Sequence, residues 1–257
     1  MMYNNIMKND VLISRISNWL NSYLIDNNLK SYVIGISGGI DSAVSSTLCA
    51  RTGNKTIVVS MPILQAKDQL ERANNHINWL KNNFENVYSY EYDLSNVFNE
   101  FVKLFPIENN HASANSRSRL RMLTLYHIAS INSGLVVGTG NKVEDFGIGF
   151  YTKYGDGGVD ISPIADLTKS EVKLLAKDLN INQEILNAKP TDGLWDDGRT
   201  DEDQIGASYE ELEWIMDYIE NDNISVLTER QKEVLNIYNN FHNSNIHKMI
   251  PIPIFKK

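Results

Sequence analysis

The 257-residue sequence has one cysteine, Cys49, and no long apolar run. A single cysteine excludes an intrachain disulfide, a CxxC redox pair and a cysteine-based zinc site. The apolar runs fall far short of the roughly 20 residues that a membrane-spanning helix needs. The first residues, "MMYNNIMKND", lack the apolar core of a signal peptide. We therefore expect a cytoplasmic protein without a membrane partner.

Basic side chains are also in deficit, with 24 Lys and Arg against 32 Asp and Glu and a net charge of -8. A protein that binds duplex nucleic acid is more often basic, so we expect no nucleic-acid partner. The content of apolar residues, 42%, and of charged residues, 22%, is that of an ordinary globular protein. The length suits one large domain or two small ones, and the sequence contains no internal repeat.

Short apolar runs alternate with helical patterns along the first half of the chain. The runs cover 32–37, 55–62, 87–93 and 134–140, and the helical patterns cover 10–29, 41–51, about 66–83 and about 115–131. Apolar strands separated by helices are typical of a parallel sheet that is covered on both faces. We predict an α/β fold with a Rossmann-like open parallel sheet of about five strands and helices on both faces.

The second half predicts helices and structured loops. Helices are predicted at 168–180, where Thr168 and Glu171 form a capping box, at 208–220 and at 226–240. Loops are predicted at 108–117, at 144–160 and in the acidic segment 191–203. The two prolines in the last residues, "HKMIPIPIFKK", exclude a regular helix at the end. The segment 192–203, together with 108–117, is our candidate for a lid, and Trp195 could cover a site when it closes.

The pattern Ser37-Gly38-Gly39-x-Asp41-Ser42 lies between a predicted strand and a predicted helix. Glycines let a backbone approach a ligand closely, and amides at a helix N-terminus favour an anion. An aspartate would repel phosphate unless it binds Mg²⁺, which prefers carboxylates together with phosphate oxygens. The loop has no lysine, so it is not a Walker-type loop. The alternative is an ordinary strand-to-helix turn, but five specified residues favour a phosphate site.

The sequence "GISGGIDS" resembles the pyrophosphate loop of the ATP pyrophosphatase group, in which ATP is cut between its α- and β-phosphates. Four further segments resemble NAD synthetases in order and spacing: "SRLRMLTLYHIA" (118–129), "GTGNKVEDFGIGFYTKYGDGGVDISPIADLTKSEV" (138–172), "KPT" (189–191) and "HK" (247–248). The resemblance implies a single NAD synthetase domain over 1–257 that amidates deamido-NAD with free ammonia, using ATP and Mg²⁺, through an NAD-adenylate. It also implies a homodimer with the deamido-NAD site at the interface.

The resemblance also assigns roles to residues by their matching positions. Asp41 and Lys169 are the implied catalytic residues, and Asp41 and Glu144 are the implied Mg²⁺ ligands. The implied ATP-binding residues are Gly35, Ile36, Ser37, Gly38, Gly39, Ile40, Asp41, Ser42, Thr139, Lys169 and Thr191. The implied deamido-NAD-binding residues are Arg119, Lys153, Asp160, His247 and Lys248. Four of these five are basic or can become so, which suits a substrate with two phosphates and a carboxylate.

The sequence departs from the pattern in two places. Many members read "GTDHAAE" where this chain reads "GTGNKVE", and this chain has one more residue between Glu144 and Lys153. Two alternative functions stay open: another ATP pyrophosphatase, such as a GMP synthetase-like or tRNA-modifying protein, and a nucleotide-binding sensor without turnover. Cys49 is interpreted as a core residue.

Overall fold

The computed structural model describes residues 2–107, 109–191, 200–221 and 226–257, without the side chains of 2–8. Within these ranges, four parallel strands form one sheet in the order β3-β2-β1-β4. They are β1 (Ser31–Gly35), β2 (Lys55–Ser60), β3 (Val87–Glu91) and β4 (Gly134–Val136). The α/β class and the parallel sheet are confirmed, and each strand ends earlier than predicted.

The expected fifth strand is reduced to a single parallel bridge between Val137 and Ile161. Pro163 follows two residues later, and proline has no N–H to donate to a ladder. The parallel pairing beside β4 therefore does not extend beyond this one bridge.

Ten α-helices and one π-helix surround the sheet in the described residues. They are α1 (Met2–Asp26), α2 (Ile40–Arg51), α3 (Lys67–Asn83), α4 (Ser95–Val102), α5 (Asn110–Asn132), the π-helix (Lys142–Ile148), α6 (Lys169–Asp178), α7 (Gln183–Leu186), α8 (Asp201–Ile205), α9 (Tyr209–Glu220) and α10 (Glu229–Met249). No helix in the described ranges is both long enough and apolar enough to cross a bilayer.

Four predicted irregular segments are helical in part: 144–148 belong to the π-helix, 201–203 belong to α8, and the other two contain longer helical parts. The loop prediction for 108–117 is wrong from Asn110 onward, because the Asn109 side chain accepts a hydrogen bond from the Ala112 N–H and caps α5. The chain end is helical as far as Met249, so His247 and Lys248 lie in the last turn of α10. Helix α10 ends just before Pro251, as the proline requires.

Both faces of β1 are buried, which explains its continuous apolar sequence. Tyr32 and Ile34 belong to a core cluster with α1, α2 and α6, whereas Val33 packs on the other face with Ile128 of α5. Cys49 is fully buried in the first cluster, so it is a core residue as expected.

A separate apolar cluster joins the π-helix to α9 and α10. Ile148 of the π-helix packs there with Leu212 and Ile215 of α9 and Val234 of α10. The cluster fixes the segment after β4 against the C-terminal helices, so the residues of the π-helix hold their positions beside the sheet.

Candidate active site

A cavity of about 810 Å³ lies beyond the carboxyl ends of β1 and β4. Its wall includes residues 35–42, which follow β1, and residues 137–140, which follow β4. From β1 the chain crosses to β2 on one side, and β4 lies on the other side, so the strand order switches between them. Open α/β sheets bind ligands at such a switch point, and the volume of this cavity suits small-molecule ligands.

The Gly/Ser loop is held by its own hydroxyl groups. The Ser42 hydroxyl donates to the Gly39 carbonyl at 2.9 Å, and the Gly39 N–H donates to Ser37 Oγ at 3.2 Å. Gly38 has a φ of 86°, and a Cβ there would lie 2.6 Å from the carbonyl oxygen of Gln69. Only glycine suits this position. Because α2 begins at Ile40, the loop leads directly into a helix N-terminus, where backbone N–H groups attract an anion.

Lys169 bridges two carboxylates at the base of the cavity. Its Nζ donates to Asp41 Oδ2 at 2.6 Å and to Glu144 Oε1 at 2.8 Å, and the lysine side chain is 3% exposed. The sequence places these residues on three separate elements, namely α2, the π-helix and α6, and the fold brings them together. Thr168 caps α6 with a capping box, as the sequence predicts, and so fixes where Lys169 begins the helix.

Lys169 and Glu144 each favour the charged form of the other, whereas burial raises the pKa of Asp41 above its ordinary value. Burial alone would lower the pKa of Lys169, but the two carboxylates outweigh it and raise the pKa above its ordinary value. Burial would raise the pKa of Glu144, but Lys169 and the hydroxyl of Tyr209 hold it below its usual range. Lys169 therefore stays a cation and Glu144 an anion in the folded protein.

Asn141 is a site residue that the sequence reasoning missed. Its Oδ1 accepts from the Val143 and Glu144 N–H groups, both at 3.1 Å, and so caps the π-helix. Its Nδ2 donates to Asp41 Oδ1 at 3.3 Å. One buried side chain thus orients both carboxylates. An asparagine just before a helical segment is a capping signal that could have been recognised.

Tyr209, at the start of α9, was also missed. It is 1% exposed, and its hydroxyl donates to Glu144 Oε1 at 2.5 Å. The same oxygen accepts from Lys169, and the Lys169 ammonium lies 4.9 Å from the Tyr209 ring centroid. Nothing in the local sequence around Tyr209 indicates this contact, because it joins segments 65 residues apart.

Asp41 and Glu144 suit Mg²⁺ by their chemistry. They already share one cation, the Lys169 ammonium, so the fold tolerates a positive charge between them. Among the described residues, no set of three or more His, Cys, Asp or Glu side chains converges on one point. The two carboxylates therefore leave coordination positions for phosphate oxygens and water, which is the usual arrangement for Mg²⁺ beside a nucleotide.

The other predicted ATP residues also line the cavity. They are Gly35, Ile36, Ser37, Gly38, Gly39, Ile40, Ser42, Thr139 and Thr191. His111, which was left without a role, lines it as well. The candidate lid is only partly described, because 192–199 with Trp195 lie outside the described residues, and 201–205 form α8.

Four of the five residues predicted for deamido-NAD line the same cavity: Arg119, Lys153, His247 and Lys248. Arg119 Nε donates to the Lys153 carbonyl at 3.2 Å, and both lysines also bind backbone carbonyls. Lys153 Nζ donates to the His247 carbonyl at 2.7 Å, and Lys248 Nζ donates to the carbonyls of Gly149 and Tyr151 at 2.6 and 2.7 Å. These bonds connect α10 to the segment that follows the π-helix.

Asp160, the fifth residue, is not among those that line the cavity in the described structure. Its Oδ1 accepts from the Tyr126 hydroxyl at 2.9 Å, and its Oδ2 accepts from the Val136 N–H at 2.8 Å. One carboxylate oxygen thus contacts α5 and the other contacts β4, and a substrate role for Asp160 stays a prediction.

Two further carboxylates face the cavity, Asp145 and Asp156. Asp156 Oδ1 accepts from the Ser118 hydroxyl at 2.7 Å. Burial, followed by repulsion from Asp156, raises the pKa of Asp145 well above its ordinary value. A Cβ on Gly140 would lie only 1.9 Å from Asp145 Oδ2. The carboxylate of Asp145 thus fills the space beside position 140.

The comparisons with known proteins identify the family of this chain. A family described as NAD synthase matches residues 12–252. The NH(3)-dependent NAD(+) synthetase of Alkaliphilus metalliredigens is 37% identical over 256 residues, covering 94% of this chain and 96% of that protein.

Two solved structures share the fold. An NMN synthetase from Francisella tularensis has a TM-score of 0.87 at 30% identity, covering 97% of this chain and 99% of the other. The NH3-dependent NAD synthetase of Campylobacter jejuni has a TM-score of 0.80 at 23% identity and covers 96% of this chain and 99% of the other. From the family match and the curated relative, this chain belongs to the NAD synthase family.

Proposed function

We propose that this chain catalyses the final step of NAD biosynthesis, the amidation of deamido-NAD by ammonia with cleavage of ATP to AMP and diphosphate. One observation carries the proposal. A single cavity joins a lysine-free phosphate loop and the Lys169–Asp41–Glu144 triad to the cations Arg119, Lys153 and Lys248. This cavity has an anion site for a departing diphosphate and a second basic region for a dinucleotide.

Each group of residues has its own role in the proposed reaction. The loop amides and the hydroxyls of Ser37 and Ser42 bind the β- and γ-phosphates. Lys169 offsets charge on the phosphates while the nicotinate carboxylate attacks the α-phosphate. Asp41 and Glu144 would hold Mg²⁺, which would supply further positive charge to the phosphate oxygens. The acyl-adenylate then reacts with ammonia, and positioning supplies the remaining rate enhancement without a side-chain nucleophile.

Free ammonia is the nitrogen donor in this proposal, and 1–257 acts as a single domain. The curated relative that this chain covers at 96% is named NH(3)-dependent. The only cysteine, Cys49, is fully buried, and burial raises the pKa of its thiol, so it does not supply the nucleophile of a glutamine amidase.

The decisive experiment is incubation with ATP, Mg²⁺, ammonium and deamido-NAD, followed by separation of the nucleotides. We expect NAD⁺ and AMP in equal amounts. ADP in place of AMP would contradict the assignment to ATP pyrophosphatase chemistry, and binding of ATP without any AMP would favour a nucleotide sensor. Asp41→Asn should abolish turnover while the circular dichroism spectrum stays unchanged.

Nicotinate mononucleotide is a second candidate substrate. The specific observation is the 30% identity and TM-score of 0.87 with an NMN synthetase. The carboxylate that is amidated is the same in both substrates, so the adenylation residues cannot discriminate between them. Comparison of kcat/KM for deamido-NAD and nicotinate mononucleotide in one preparation decides between the two.

A homodimer and a cytoplasmic location complete the proposal. Apolar side chains are strongly exposed where α4 leads toward α5, including Leu104 at 76% and Ile107 at 80%. Exposed apolar patches often mark protein interfaces. Sedimentation at micromolar concentration should give a dimer, and a monomer there would refute this part of the proposal.

A further inference from the structure

Helix α3 forms one wall of the phosphate loop and brings an arginine to it. A Cβ on Gly38 would lie 3.1 Å from the Ala73 nitrogen and 3.4 Å from the Arg72 Cβ. The loop thus packs directly on one turn of α3, between Gln69 and Ala73. Arg72 lines the same cavity as residues 35–42.

The guanidinium of Arg72 is only partly used by the protein. Its Nη1 donates to Asp68 Oδ2 at 2.8 Å, in a pair one helical turn apart. The Asp68 side chain is 68% exposed, whereas that of Arg72 is 20% exposed. Within the described ranges, the buried Nε of Arg72 has no hydrogen-bond partner. A buried donor without an acceptor is uncommon, and beside an anion site it points to an acceptor that arrives with the ligand.

The charge of the loop region supports the same conclusion. Lys169 is already shared between Asp41 and Glu144, so much of its charge is offset inside the protein. A departing diphosphate carries more negative charge than the loop amides alone can offset. A guanidinium matches phosphate geometry through several N–H donors, and its exposed partner Asp68 holds it weakly.

We infer that Arg72 binds the β,γ-diphosphate of ATP and retains it in the loop after adenylation, exchanging its ion pair with Asp68 for phosphate oxygens. This inference rests on the proposed function and adds a residue to its diphosphate site. Arg72 binds the leaving group from the side of α3, opposite the N-terminus of α2.

The test measures the binding of inorganic diphosphate in the presence of Mg²⁺ by calorimetry, on the full chain. Arg72→Met should weaken binding by roughly 10- to 100-fold, which is the effect of losing a charge-assisted hydrogen bond. Asp68→Asn should tighten binding by up to about fivefold, because it frees Arg72 from a weak surface pair. Lys81→Met, an exposed cation in the last turn of the same helix, is the matched control and should leave binding unchanged.

Equal affinities for the wild-type chain and Arg72→Met, with both folded by circular dichroism, would overturn the inference and leave the proposed function intact. Weaker binding by Asp68→Asn would also overturn it, because the pair would then support the site instead of competing with it. Failure of the proposed function has a different result, namely ADP in place of AMP with wild-type enzyme. Arg72→Lys should recover part of the lost affinity, since the charge remains while the forked geometry is lost.

Discussion

Replacement of Lys169 by methionine should destabilise the protein in a way that a divalent cation can reverse. The substitution leaves Asp41 and Glu144 facing each other without the ammonium that now lies 2.6 and 2.8 Å from them. Removal of one partner from a buried ion pair costs about 3–5 kcal/mol. For a chain of this size each kcal/mol lowers Tm by roughly 2–4 °C, so a fall of about 6–20 °C is expected.

Addition of Mg²⁺ without nucleotide should raise the Tm of Lys169→Met but change that of the wild-type chain little. In the wild-type protein the lysine already provides the cation between the two carboxylates. In the variant, a cation at ten times its Kd contributes about 1.4 kcal/mol, a shift of roughly 3–6 °C. Differential scanning fluorimetry with and without Mg²⁺ measures both effects.

Lys173→Met is the control, because Lys173 lies one turn later on α6 and pairs with Glu210 only at 4.0 Å on the surface. Lys173→Met should change the free energy of unfolding by no more than about 0.5 kcal/mol, so its Tm should stay close to that of the wild-type chain. Two results would refute the reasoning: a Lys169→Met variant as stable as wild type, or an equal response of both proteins to Mg²⁺.

Three further predictions concern buried groups of the described structure. Burial lowers the pKa of His76 from 6.5 to about 4. As the pH falls, His76 therefore binds a proton in the unfolded chain before it does so in the folded protein. The contribution of neutral His76 to the free energy of unfolding is present above about pH 6.5 and falls by up to about 3 kcal/mol as the pH approaches 4. Urea titrations of His76→Gln should lack this loss. Tyr209→Phe removes a hydrogen bond to the Glu144 carboxylate and should raise the Mg²⁺ concentration for half-maximal activity by about tenfold, as that bond is worth about 1.5–3 kcal/mol. Gly140→Asp should lower the free energy of unfolding by about 1–3 kcal/mol, because the new side chain would overlap with Asp145. The additional change Asp145→Ala should restore the unfolding midpoint. Failure of this rescue would show that the two positions are independent.

The sequence was sufficient for the sheet and for the phosphate loop because both depend on local patterns. The Val- and Ile-rich runs predict β1, β2 and β3, and the Gly/Ser pattern predicts the turn into α2. Capping at Thr168 predicts the start of α6. Each of these signals lies within about ten residues of chain.

Long-range contacts are what the sequence could not supply. The approach of Tyr209 to Glu144 depends on how α9 packs against the π-helix, and no periodic pattern encodes that geometry. The same holds for Asp160, whose two oxygens accept from Tyr126 of α5 and from the Val136 N–H of β4. The loop prediction around His111 failed for a different reason, because polar residues in the first turns of α5 conceal a helix that Asn109 caps.

The π-helix shows how this chain could lengthen between two fixed points of an active site. At its end, the Gly149 N–H donates to the carbonyl of Glu144, five residues back, so the turn is wider than an α-helical turn. A π-turn contains one residue more than an α-helical turn, and Glu144 and Lys153, on either side of its end, both line the cavity. The same turn presents Asp145 where Gly140 leaves space. Positions 140 and 145 thus share one space in the fold, so the side chain at one of them limits the side chain at the other.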